Sequence, residues 1–212
     1  MNEKQQKLID ASMLRPRTGE TMPVDDYRVM MSLALELLAD EPVKELKDYT
    51  LAELAELVHD MAKEKGWWDA PRDWPEIACL IHSEISEAVE CYRDGELAMH
   101  IIDGKPEGLV VELADVLIRC LDYAAHVHYE DVPHETLESW VRRHAAVEYG
   151  MLEHLHKMHT GLTSYESATA VALCLRALGE CCKKFNLDLQ AAVVAKIEYN
   201  AKRPYRHGGK KA

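Results

Sequence analysis

Two pairs of carboxylates, each spaced three residues apart, are the strongest chemical signal in this 212-residue chain. Glu84 and Glu87 lie in IHSEISEAVE (81–90), and Glu112 and Asp115 lie in LVVELADVLIRCLDYAA (109–125). Both stretches carry helical periodicity. On a helix, a spacing of three sets two side chains about 60° apart around the axis and about 4.5 Å along it, so each pair points at one spot. Two such helices packed together would bring four acids to one volume. Carboxylates that close repel strongly unless cations neutralise them. For an all-oxygen site the natural cation is Mg²⁺, with Mn²⁺ as the alternative.

The plain alternative is a wet helix face. Glu112, Asp115, Arg119 and Asp122 form a stripe at spacings of 3, 4 and 3, and Glu84, Glu87 and Glu90 form another. The second helix argues against it. Leu109, Val110, Val111, Leu113, Ala114, Val116, Leu117 and Ile118 cover its other faces. A helix so apolar is mostly buried, and its acids then face a partner or a site. The 24 residues between Glu87 and Glu112 suffice for a helix end, a loop and a helix start.

ExxE, a spacer and ExxD resemble the signature of the MazG-like, all-α nucleoside triphosphate pyrophosphohydrolases, which include dimeric dUTPases and dCTP pyrophosphatases. KGWWDAPRDWPE (65–76), IHSEISEAVE (81–90), GKPEGLVVELADVLIR (104–119) and KIEYNAKRPYRHGGKK (196–211) are similar to phage and bacterial sequences of that kind. The resemblance spans roughly half the chain, about 50–125 and 187–211. It implies hydrolysis of a (deoxy)nucleoside triphosphate at the α–β linkage, giving a monophosphate and pyrophosphate. It also implies a homodimer and a role in trimming a nucleotide pool. Glu84, Glu87, Glu112 and Asp115 would hold two or three Mg²⁺ ions, and Glu87 or Glu84 would orient or deprotonate the attacking water. Lys196, Asn200 and Arg203 match the family positions that contact phosphate, sugar or base. Lys196 and Asn200 share a helix face at i,i+4, and Arg203 follows where Pro204 stops the helix. The alternative there is a basic, frayed C-terminus that includes Lys202, Arg206, Lys210 and Lys211.

Trp67 and Trp68 precede the first acid helix, between Gly66 and Pro71. One ring is expected at a pocket mouth, stacked on a base, and the choice is Trp68; the other anchors the loop. Asp73 stands where the family often has Asn. His82 is expected to have a packing or supporting role. EHLHKMH (153–159) holds one ExxH, Glu153–His156, where a di-iron bundle needs two, so His154, His156 and His159 read as a solvated face. No glycine-rich phosphate loop is present.

A formal charge of −12 argues against polymeric nucleic acid as a partner. No run of 18 apolar residues and no signal peptide are found, which gives the expectation of a cytoplasmic protein with no membrane contact. The six cysteines lie in apolar stretches without CxxC spacing and read as reduced core thiols. Strand signals are weak, and helices are expected near 24–39, 50–65, 75–93, 106–127, 135–158, 164–185 and 187–201. The reading is an all-α, MazG-like bundle. Residues 1–46 form an N-terminal extension and 47–212 the catalytic domain, with inserted or duplicated helices at about 128–186. Residues 117–145 can be laid over 174–201, as a degenerate duplication would produce, with Glu112 falling on Thr169 and Asp115 on Ala172. Two further readings remain open: a pyrophosphohydrolase of another small pyrophosphate, or a non-catalytic helical interaction protein.

Overall fold

A computed structural model describes residues 44–164 and 166–209. The chain divides at Lys44/Glu45, and the unit considered below is Glu45–Ala212. The expected helix at 24–39 and the extension before residue 44 lie outside the described residues.

The described chain is helical apart from one two-stranded hairpin. Its helices are α1 (Leu51–Glu64), α2 (Trp74–Asp94), α3 (Leu109–His126), α4 (Leu137–Arg143), α5 (Met151–Ser164), α6 (Ser167–Phe185) and α7 (Leu189–Ala201). Local chemistry sets several of the ends. Thr50 and Glu53 form a reciprocal capping box at the start of α1. Asp73 caps α2 by accepting from the Glu76 N–H at 3.0 Å, with Pro75 in the first turn. Asp73 therefore has a structural task at the head of the acid helix. Gly95 ends α2 in the left-handed conformation, at φ 80°.

Two sequence expectations need correction. The helix expected from 106 starts three residues later, at Leu109, and runs unbroken to His126. His100–Ile102 (β1) and Lys105–Glu107 (β2) pair antiparallel around Asp103-Gly104, both at positive φ, and α3 begins only after Gly108. Gly108 sits at φ +112°, and a Cβ there would lie 2.4 Å from the Ala98 carbonyl oxygen. The segment 135–158 is broken, because His144 leaves α4 in extended backbone and 144–150 runs as a connection to α5. His144 Nδ1 bonds the Trp140 carbonyl at 2.8 Å, which takes up an acceptor at the end of α4.

The core is built around α3. It contacts α1, α2, α6 and α7, while α5 lies against α2 and α6. Leu113, Leu117 and Leu121 of α3 are fully buried, and truncating any one to Ala would cost about 2–5 kcal/mol. The hairpin joins α2 to α3 and packs β2 on α7. The segments proposed as a duplication are both helix–break–helix, but α4 has 7 residues where α7 has 13. All six cysteines are free thiols, four of them buried. No helix among the described residues is long and apolar enough to cross a membrane.

Candidate functional site

A cavity of about 350 Å³ opens among α1, α2, α3 and α7. All four predicted acids line it, as do Lys196, Asn200 and Arg203. Glu84, Glu112 and Asp115 each offer an oxygen, and the three lie within 4.8 Å of one another. Glu87 stands outside that trio, nearer the rim.

These acids are held with too few protein cations. Arg119 donates to Glu84 Oε1 from Nε at 2.7 Å and lies against it through Nη2 at 2.6 Å. Lys196 Nζ sits 2.5 Å from Asp115 Oδ2, and Lys196 is itself only 4% exposed. These two cations pair with Glu84 and Asp115, which leaves Glu87 and Glu112 without an ion pair of their own among the described residues. Burial pushes the Glu112 carboxyl up to about 7, with Asp115 adding to it and Lys196 opposing. Burial likewise raises Asp115 to about 6 despite Lys196. Glu87 is raised by burial and by Glu84. Three clustered oxygens and unmet negative charge suit a hard divalent cation. Mg²⁺–O bonds are about 2.0–2.1 Å, so opposite ligands lie about 4 Å apart, and a spread of that order fits once a water fills a gap.

Other elements add donors to the lining. Lys196, Ile197, Asn200 and Arg203 come from α7 and its end, and Lys65 and Trp67 from the segment after α1. Asn200 Oδ1 is buried with no hydrogen-bond partner. The C-terminal segment is fastened down rather than frayed: the Arg206 amide donates to the Lys65 carbonyl at 3.0 Å, and the Tyr205 hydroxyl bonds Asp69. Lys65 Nζ donates in turn to the carbonyls of Ala201 and Arg203, at 2.8 and 2.6 Å.

The tryptophans exchange the places expected of them. Trp67 lines the cavity and Trp68 does not. The Trp68 ring is stacked on His126 at 3.9 Å, and its Nε1 donates to Asp122 Oδ1 at 2.9 Å. The turn through Gly66 decides which ring faces in, and adjacent residues point in different directions. His82 lies on another face of α2, with its Nδ1 2.6 Å from that of His159 on α5. The other residues of EHLHKMH do not converge on a metal. His154 is fully buried, His156 is exposed, and Glu153 accepts the Gly150 N–H at 2.7 Å.

Several site residues were passed over in the sequence. Arg119 and Asp122 belong to the same stripe as Glu112 and Asp115, and that stripe was their signal. Arg72 and His59 gave none. A second hollow of about 470 Å³ beside α5 and α6 holds no acid cluster: Lys157 lies over the Tyr149 ring at 3.7 Å and Arg176 pairs with Glu180 at 2.9 Å. The acid-lined cavity is therefore the stronger candidate site. No family model, curated protein or solved structure matches this chain.

Proposed function

We propose that this protein is a Mg²⁺-dependent nucleoside triphosphate pyrophosphohydrolase of the MazG-like kind that its acid motifs resemble. The observation that carries the reading is the mixed lining of one cavity, which carboxylates on α2 and α3 share with Lys196, Asn200 and Arg203. A triphosphate with its divalent cation needs both: oxygen ligands for the metal, and N–H donors for the outer phosphate oxygens.

Glu84, Glu112 and Asp115 would hold the metal, with Glu87 completing the set or holding a second ion. Bound there, the metal supplies charge stabilisation for the phosphoryl oxygens as the α–β linkage breaks. Glu87, the most exposed of the four and raised by burial and by Glu84, is the group best placed to take a proton from water. Lys196 and Arg119 now pair with the acids, and would turn to phosphate once a metal takes over those carboxylates. Asn200 orients the substrate through its unpartnered Oδ1. Mn²⁺ substitutes for Mg²⁺ in this scheme, and self-association as a homodimer belongs to the same proposal.

The test is pyrophosphate release from eight ribo- and deoxyribonucleoside triphosphates, with Mg²⁺ or EDTA, for wild type and Glu112→Ala. Metal-dependent release that the substitution abolishes supports the reading. No release from any of the eight refutes it.

A further inference from the structure

The cavity continues past the acids. Along α3 the rise of about 1.5 Å per residue sets Asp122 about 10 Å beyond Asp115. That is room for a sugar and a base beyond the phosphates. The intervening wall is apolar, with Val58 and Met61 of α1 and Ile118 of α3. Two charged groups, Arg72 and Asp122, line the same cavity.

Both groups are held and incompletely partnered. Asp122 Oδ1 accepts from His59 Nδ1 at 2.7 Å and from Trp68 Nε1 at 2.9 Å. Trp68 is pinned by its stack on His126, so the carboxylate plane is fixed. Oδ2 is left without a donor among the described residues. The Arg72 side chain is 8% exposed, and its Nε donates to Glu76 Oε1 at 2.6 Å. Its Nη2 is buried with no acceptor. A buried cationic N–H without an acceptor is costly, and a ligand that brings an acceptor would offset that cost.

A fixed acceptor beside a fixed donor reads one edge of a flat ring. Guanine would ask for both carboxylate oxygens, through N1–H and N2–H, but Oδ1 already accepts twice. Uracil and thymine offer N3–H between two carbonyl oxygens, one of which would face the carboxylate. An exocyclic amine next to an unprotonated ring nitrogen has neither conflict. We propose that Asp122 and Arg72 form a base-reading pair selecting a 4-aminopyrimidine or 6-aminopurine nucleotide, the amine donating to Asp122 Oδ2 and the ring nitrogen accepting from Arg72 Nη2. This rests on the triphosphate reading above.

The test uses binding as well as turnover. Affinities of the α,β-methylene analogues of CTP, ATP, GTP and UTP are measured by calorimetry with Mg²⁺, beside pyrophosphate release from the natural triphosphates. The proposal expects CTP or ATP analogues to bind at least tenfold tighter than UTP and GTP analogues, and the two arms say which aminated base is preferred. Asp122→Asn keeps an acceptor for His59 and Trp68 but turns an NH₂ to the cavity, where it faces the amine of the favoured base, so preference for that base falls at least tenfold. If that variant does not fold, the 4-deamino analogue of CTP and the 6-deamino analogue of ATP remove the same contact from the ligand side, and the favoured one loses at least tenfold in affinity. Turnover without base preference, or preference unmoved by both changes, overturns the pair and leaves the reaction standing. Selective binding without turnover does the reverse, and binding of no nucleotide overturns both.

Discussion

Glu112→Gln should make the metal-free protein more stable while removing its function. The carboxyl of Glu112 is raised from 4.5 to about 7, a value that already includes the pull of Lys196. At about 1.36 kcal/mol per pH unit, that difference is about 3 kcal/mol of unfavourable charge in the folded state. Below 4.5 the group is protonated whether folded or not, and the penalty is absent. It grows as pH rises from 4.5 to about 7, and is complete above that. Gln has nearly the same shape and no charge to bury. Urea unfolding in EDTA at pH 5 and pH 8 is the assay. Wild type should lose stability between the two, and the variant should lose less and exceed wild type at pH 8 by up to about 3 kcal/mol. Coupling to Asp115 makes that figure an upper bound, because Asp115 relaxes when its neighbour is neutral. Mg²⁺ should stabilise wild type more at pH 8 than at pH 5, and the variant little at either. A variant less stable than wild type in EDTA at pH 8, or one with the same pH slope, would refute the account of an under-neutralised acid cluster.

Lys196→Met strands Asp115 beside the other acids, and breaking a buried pair of this kind costs about 3–5 kcal/mol. Thermal melts should show the loss, and Asp115→Asn in the same chain should restore much of it. Arg119→Gln removes the side chain that competes for Glu84, so Mn²⁺ should bind about fivefold tighter by titration calorimetry, as expected for a half-exposed ion pair; unchanged or weaker binding would mean Arg119 does not compete with the metal. Gly66→Ala places a Cβ 2.1 Å from the Tyr205 ring at a residue with φ +79°. Backbone strain alone costs about 1 kcal/mol, and limited proteolysis should then cut the segment after Arg203 faster than in wild type.

Much of the frame could be read directly from residue order. The two acid helices were expected at 75–93 and 106–127, and they run from Trp74 to Asp94 and from Leu109 to His126. The hairpin was legible too, because Asp103-Gly104 is a strong two-residue turn signal. The break at 144–150 had little local signal, since HAAVEYG contains helix formers and only one glycine. A tertiary contact lies at the break: the His144 ring packs on Gly179 of α6, where a Cβ would lie 2.7 Å from it. In the site, spacing pointed to the four acids, and the family resemblance pointed to Lys196, Asn200 and Arg203. Spacing could not say that Glu87 stands apart, nor which indole faces the cavity. Those depend on fractions of a helical turn and on the path of the chain through Gly66. Arg72 was invisible because its place is fixed by Glu76 and Trp68, not by any repeat.

The ion pair between Asp115 and Lys196 also has a bearing on how the chain assembles. Its partners are about 80 residues apart in sequence, with α4, α5 and α6 between them, which makes it a contact of high order whose loop must close before it forms. During synthesis the carboxylates leave the ribosome well before their counter-charge exists. Until α7 arrives, Arg119 is the cation at hand to pair with them, and protonation or a divalent ion from the surrounding medium would offset the remaining charge as α1, α2 and α3 come together. A free cation would then act on this protein first as a folding aid. Nascent chains stalled before residue 189 should depend on Mg²⁺ for protease resistance far more than the finished protein does.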